Sequence, residues 1–158
     1  MLIAHRAYKP FGEHLGKIMD GAPSVYHASM TPHPPSAALS KTSSPVTEWL
    51  TLYTSATDIS AHERLEHDAK ELVKIIEKHG EGYIAAAGGW VVEELPLPHD
   101  ANTKAKAWVT AVGWKSVDHH HTYTETQKDK YGHLLAGATY LQGMSVCHVS
   151  CVEVQPGF

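Results

Sequence analysis

Residues 46–53 read VTEWLTLY, and Ser60 to His79 read SAHERLEHDAKELVKIIEKH. The first stretch alternates. Val46, Glu48, Leu50 and Leu52 share one face of a strand, and Thr47, Trp49, Thr51 and Tyr53 share the other. Both faces carry large groups, so both are expected to be covered. In the second stretch the period changes to that of a helix: Leu65, Ala69, Leu72 and Ile76, with Val73 beside them, form an apolar stripe. Ser60 and Glu63 have capping-box spacing at its start, and Gly80 and Gly82 stop it.

Toward the C-terminus the same reasoning gives five more segments. YIAAAGGWVVEE (83–94) is a strand with a bulge or close approach at Gly88-Gly89. ELPLPHDANTKA (94–105) is a loop, and KAWVTAVGW (106–114) is another strand. Ser116 caps a second helix, polar at first and ending in HLLAGA. GMSVCHVSCVEV (143–154) is the last strand. Residues 46–154 therefore read β-α-β-β-α-β, the ferredoxin-like α+β plait with both helices on one face of an antiparallel sheet.

Toward the N-terminus, residues 5–20 suit a helix interrupted or started late by Pro10 and ended by Gly21. The heptad SVYHASM (24–30) then repeats the pattern of SVCHVSC (145–151). His5 and Tyr8 share the x-His-x-x-Tyr pattern of His120 and Tyr123, and Glu13-His14-Leu15 resembles Gly132-His133-Leu134. A glycine–alanine pair precedes both strands. Residues 1–30 are thus expected to form a partial α-β repeat or an arm. Residues 31–45, with four prolines and four serines, are a linker or a strap across a surface.

Composition bounds the function classes. The 158 residues are 42% hydrophobic, enough for one domain or two half-sized repeats sharing a core. A net charge of −4 argues against a nucleic-acid surface. No stretch approaches the ~20 apolar residues of a membrane span, and the start lacks the apolar centre of a secretory signal. The only two cysteines, Cys147 and Cys151, would share a strand face about 13 Å apart, too far to bond. Free thiols suit a reducing, cytoplasmic setting. Of thirteen histidines, the longest run, His119-His120-His121, is internal, so a tag does not explain it.

The plait, the stretch VGWKSVDHHHTY (112–123) and the strand SVCHVSCVEV together resemble the dimeric α+β barrel superfamily, in particular its fungal antibiotic-biosynthesis-monooxygenase-like branch. Members often carry Gly-Trp-x-Ser-x-x-x-His where the second helix begins, which maps here to Gly113, Trp114, Ser116 and His120. The resemblance covers 46–154 well and 5–40 as a partial second unit. It implies a homodimer whose sheets face each other, and a pocket in each plait between sheet and helices. A chain of two plaits would carry β-α-β-β before residue 5. Without it, a partner chain supplies those strands or the first unit has become an arm. Relatives include cofactor-free monooxygenases, cyclases, decarboxylases and haem enzymes, so the fold leaves the reaction open.

The candidate chemistry follows from residue types. His148 and His27 lie among apolar strand neighbours, where a histidine either is satisfied between layers or acts as acid or base. His120 begins the second helix at the pocket mouth. Successive helical residues diverge by about 100°, so His119, His120 and His121 cannot all face one cavity. Glu48, within an otherwise apolar strand face, would have a raised pKa if buried. Tyr123 could polarise a carbonyl. His120, His148, Tyr123 and Glu48 are therefore the expected catalytic residues. His27, Tyr53, Trp90, Trp108 and Trp114 are the expected lining for a hydrophobic small-molecule substrate.

No metal is expected, because HHH lacks i, i+4 spacing and no cysteine or carboxylate pattern completes a site. With no phosphate loop or dinucleotide fingerprint, no cofactor is expected either. The leading expectation is a cofactor-independent enzyme of fungal secondary metabolism. It would steer an aldol-type or pericyclic cyclisation or rearrangement of a polyketide- or terpenoid-like intermediate. The alternatives are a cofactor-free monooxygenase of an aromatic polyketide and a non-catalytic binding or stress-response barrel.

Overall fold

The computed structural model describes residues 10, 13–14, 16–17, 25–40 and 42–150. Much of the helix expected over 5–20, and the strand end beyond 150 with Cys151, lie outside the described residues. The described elements are β1 (Ala28–Thr31), α1 (Ser36–Leu39), β2 (Val46–Ser55), α2 (Ile59–His79) and β3 (Tyr83–Val91). They continue with β4 (Leu95–Leu97), β5 (Asp100–Trp114), α3 (Val117–Ala136) and β6 (Leu141–Val149).

One sheet runs β1-β3-β5-β2-β6, with β4 paired to β5, and every pairing is antiparallel. The inner order β3-β5-β2-β6 is that of the ferredoxin-like plait, built from 46–149 as the hydrophobic periods require. β2 is central, between β5 and β6, which is why both its faces carry bulky groups. The two similar heptads reach opposite edges of this sheet: β1 borders β3 and β6 borders β2. His27 stands just before β1 rather than within it.

Three details differ from the sequence reading. Residues 94–105 are not a loop: β4 and the start of β5 form a hairpin in which Leu95 and Leu97 are buried and Pro96 faces out. Proline, usually a breaker, is tolerated on an edge strand because it has no ladder bond to lose. β3 stops at Val91, since Glu93 turns to meet His27. Asp58, not Ser60, caps α2. Its Oδ1 accepts from the Ala61 N–H at 3.1 Å and from Ser60 Oγ at 2.8 Å.

The helix-side core joins Leu65, Leu72 and Ile76 of α2 to Leu50, Leu52, Trp108 and Val112 of the sheet. Each such aliphatic side chain contributes about 1.5–3 kcal/mol on full burial. Across the sheet lies a second core of Met30, Ala87, Val91, Val109 and Ala111, covered by the segment containing α1. Ala38 there is fully buried. Ser44 Oγ donates to the Ala37 carbonyl at 2.7 Å, and the Thr47 hydroxyl donates to the Ala38 carbonyl. Trp49 Nε1 donates to Tyr26 Oη at 3.1 Å, tying down the chain before β1. No described helix is long and apolar enough to cross a membrane.

Gly113 makes this cover possible. A Cβ there would stand 2.0 Å from Ser44 Oγ and 2.7 Å from Ser44 Cβ. Gly113→Ala is expected to lift the segment and cost about 1–3 kcal/mol, the usual range for overpacking. Urea unfolding reads the loss, and adding Ser44→Gly should recover part of it.

Candidate functional site

The alternation of β2 places Glu48 on the helix side of the sheet, in register with Val112 on β5 and His148 on β6. The carboxylate is buried in the middle of the sheet, and two groups hold it. Trp114 Nε1 donates to Oε2 at 3.2 Å, and His120 Nε2 lies 3.3 Å from the same oxygen. The indole is itself fully buried, so its N–H is a fixed donor.

His120 reaches Glu48 because of how α3 starts. Ser116 Oγ accepts from the His119 N–H at 3.3 Å, the expected N-cap. Gly82, at φ 82°, leaves room for the His119 ring, which a Cβ would approach to 2.3 Å. One helical step on, His120 turns inward over Trp114, with ring centroids 5.5 Å apart. Its Nδ1 then meets His148 Nε2 at 2.7 Å, while Thr124 Oγ1 lies 3.2 Å from Nε2. The result is a chain of close polar contacts, Trp114–Glu48–His120–His148, hydrogen-bonded at its two ends and bridged in the middle by the 3.3 Å approach of Glu48 and His120.

Burial sets the charge states. It pushes the Glu48 carboxyl above its usual range, partly opposed by the Trp114 N–H, which favours the carboxylate. Burial, then the neighbouring His148 and His121, bring His120 down to about 4. His148 is lowered by burial and by His121. Burial thus disfavours the charged forms of both Glu48 and His120.

This series opens on a cavity of about 180 Å³ between sheet and helices, lined by Glu48, His120, Tyr123, Leu72, Ile76 and Met144, among others. The Tyr123 hydroxyl is buried without a hydrogen-bond partner among the described residues. Burial raises it to about 12, so it stays protonated as a donor.

The structure thus brings Glu48, His120, His148 and Tyr123 together. It does not gather the expected lining. Trp114 is fully buried beneath Glu48 and acts as its donor, not as a pocket wall. Trp90 and Trp108 border a separate groove of about 600 Å³ between α2 and β3. Their indoles are engaged by Glu66 at 2.8 Å and Thr110 at 3.0 Å. Tyr53 packs in the core across the sheet, because alternation sends it opposite Glu48. His27 binds Glu93 at 2.6 Å, near β1, and its hydrogen bonds hold that carboxyl down to about 2.

Two members of the site are not among the expected catalytic or lining residues. Thr124 stands at i+4 from His120, a spacing visible in the sequence. His121 joins His120 and His148 in a group in which one ring nitrogen from each lies within 4.8 Å of the others. The third histidine arrives from β6, which spacing within HHH could not reveal.

No family model matches this chain, and no curated protein does. Several solved chains do, two of them as follows. An antibiotic-biosynthesis-monooxygenase-like protein from Deinococcus radiodurans shares 11% identity over 72% of this chain and 98% of its own, with a TM-score of 0.48. A dimeric protein of unknown function and ferredoxin-like fold from Bacteroides fragilis shares 12% over 68% and 97%, with a TM-score of 0.44. The chain is similar to both in fold.

Two outcomes test the electrostatics. Trp114→Phe removes the donor that favours ionised Glu48, so the carboxyl should titrate still higher, as read by carbon NMR. Glu48→Gln should gain stability over the parent as pH rises above 4.5. A raised native pKa gives stability that is full below the unfolded value and is lost as pH climbs through the native one. One such proton sets a slope of about 1.4 kcal/mol per pH unit, measurable as urea midpoints at several pH values.

Proposed function

We propose that this protein is an enzyme that moves a proton on a small, largely apolar carbonyl substrate without needing a cofactor for that step. It would promote an aldol-type closure or rearrangement of a polyketide- or terpenoid-like intermediate in secondary metabolism, fungal in the reading drawn from the sequence. The observation that carries this reading is the Glu48–His120–His148 series ending in a cavity beside an unpartnered Tyr123 hydroxyl.

In this reading Glu48 is the base. Its raised pKa brings it toward the range where a carboxylate removes an α-proton efficiently. Tyr123 donates to the carbonyl oxygen as negative charge develops there. The proton taken by Glu48 passes to His120 Nε2, and His120 Nδ1 releases one to His148 Nε2 at the surface. Leu50, Leu72 and Ile76, all buried, keep water away from the enolate. A cavity of about 180 Å³ takes a short acyl or cyclic group, or the reacting end of a longer molecule. The assembly proposed is a homodimer, as the resemblance implies. A cytoplasmic setting suits the free, exposed Cys147.

The test is α-proton exchange of short β-ketoacyl thioesters in deuterated buffer, followed by NMR, with oxygen uptake recorded in parallel. Accelerated exchange is expected. Glu48→Gln should lower it by about 10²–10⁴-fold and Tyr123→Phe by about 10²-fold. The parent rate should rise with pH through the Glu48 titration. Oxygen uptake coupled to substrate loss would turn the assignment to a cofactor-free monooxygenase. No acceleration, with ligand still bound by Glu48→Gln, would turn it to a non-catalytic barrel.

A further inference from the structure

We propose that His120, His121 and His148 form a binding site for a divalent transition-metal ion, with zinc the best match to the ligand set. One ring nitrogen from each lies within 4.8 Å of the others, and His120 Nδ1 is 2.7 Å from His148 Nε2. Metal–nitrogen bonds of about 2.0–2.1 Å in a tetrahedron set the nitrogens about 3.3 Å apart. The short pair must open slightly and the wider ones close. His121 is exposed on the helix surface and has room to swing in. Three imidazoles without thiolate or carboxylate suit zinc, cobalt, nickel or copper rather than magnesium or calcium.

A second feature is built behind the cluster. A metal-binding histidine usually gives its other ring N–H to a carboxylate, which fixes its tautomer and orientation. His120 has that arrangement: Nδ1 meets His148 Nε2 at 2.7 Å and Nε2 lies 3.3 Å from Glu48 Oε2. Glu48 is in turn fixed by Trp114 Nε1 at 3.2 Å. Two imidazoles come from adjacent positions on α3 and one from β6, so the ion would clamp the start of the helix to the edge strand. Solvent fills the fourth position.

The ion would sit on the far side of His120 from the cavity. Bound there, it occupies the lone pairs of His120 Nδ1 and His148 Nε2 and leaves His120 with its proton on Nε2. The series from Glu48 to the surface is then closed to proton passage. That consequence rests on the proton-transfer reading above, whereas metal binding itself does not.

The experiment is titration of the full chain with cobalt(II), followed by its visible absorption, with displacement by zinc(II). One cobalt per chain with tetrahedral bands is expected. Glu48→Gln should weaken binding by about 10–100-fold, and His121→Ala or His148→Ala by more. His121→Ala alters an exposed side chain, so its fold should persist, as circular dichroism would verify. Absence of stoichiometric binding at tens of micromolar metal overturns the site. So does unchanged binding by the His121→Ala/His148→Ala double variant, since the chain has thirteen histidines. Zinc that binds yet leaves α-proton exchange unaltered supports the site and overturns the relay.

Discussion

A carboxylate placed in the middle of a sheet has to be held, and much of this structure follows from how Glu48 is held. Burying an unpaired charge in an apolar layer is costly, so the group needs donors or a proton. Trp114 supplies a fixed N–H, and His120 supplies a ring nitrogen that can give or take a proton. Both come from the same passage, the end of β5 and the start of α3. The strand-to-helix turn at Lys115 and Ser116 thus sets the tryptophan and the histidine on one oxygen from two directions.

The fold was legible in the sequence because period is a local property. The alternation of VTEWLTLY and the stripe from Leu65 to Ile76 need no partner to be read, and the plait order follows from counting segments. What failed was punctuation. The prolines of 94–105 suggested a loop, yet Leu95 and Leu97 alternate about Pro96 and form an edge strand. Ser60 looked like the cap until the helix began one residue earlier and gave that role to Asp58.

The site was half legible for the same reason. Glu48 is conspicuous as a charge on an apolar face, and His120 as the inward member of a run. Which aromatics join them depends on pairing across the sheet, which a single strand does not reveal. Trp114 serves as a donor under the site because it lies beside Val46 of β2, close to Glu48. Trp90 and Trp108 lie farther along their strands and face a different groove. The clustering of His121 with His148 required β6 to pair with β2, a contact between distant parts of the chain.

That pairing has a consequence for how the molecule is made. β2 opens the plait and β6 completes it, so Glu48 and His148 are joined by one of the longest loop closures in the fold. On a ribosome, β2 emerges well before its last neighbour, and until β6 docks one side of the central strand is an open edge. A nascent chain can pair β2 with β5 and bury Trp114 against Glu48, but it cannot yet present the histidine pair. The contact of His148 with His120 thus depends on a longer closure than the one that sets Trp114 against Glu48.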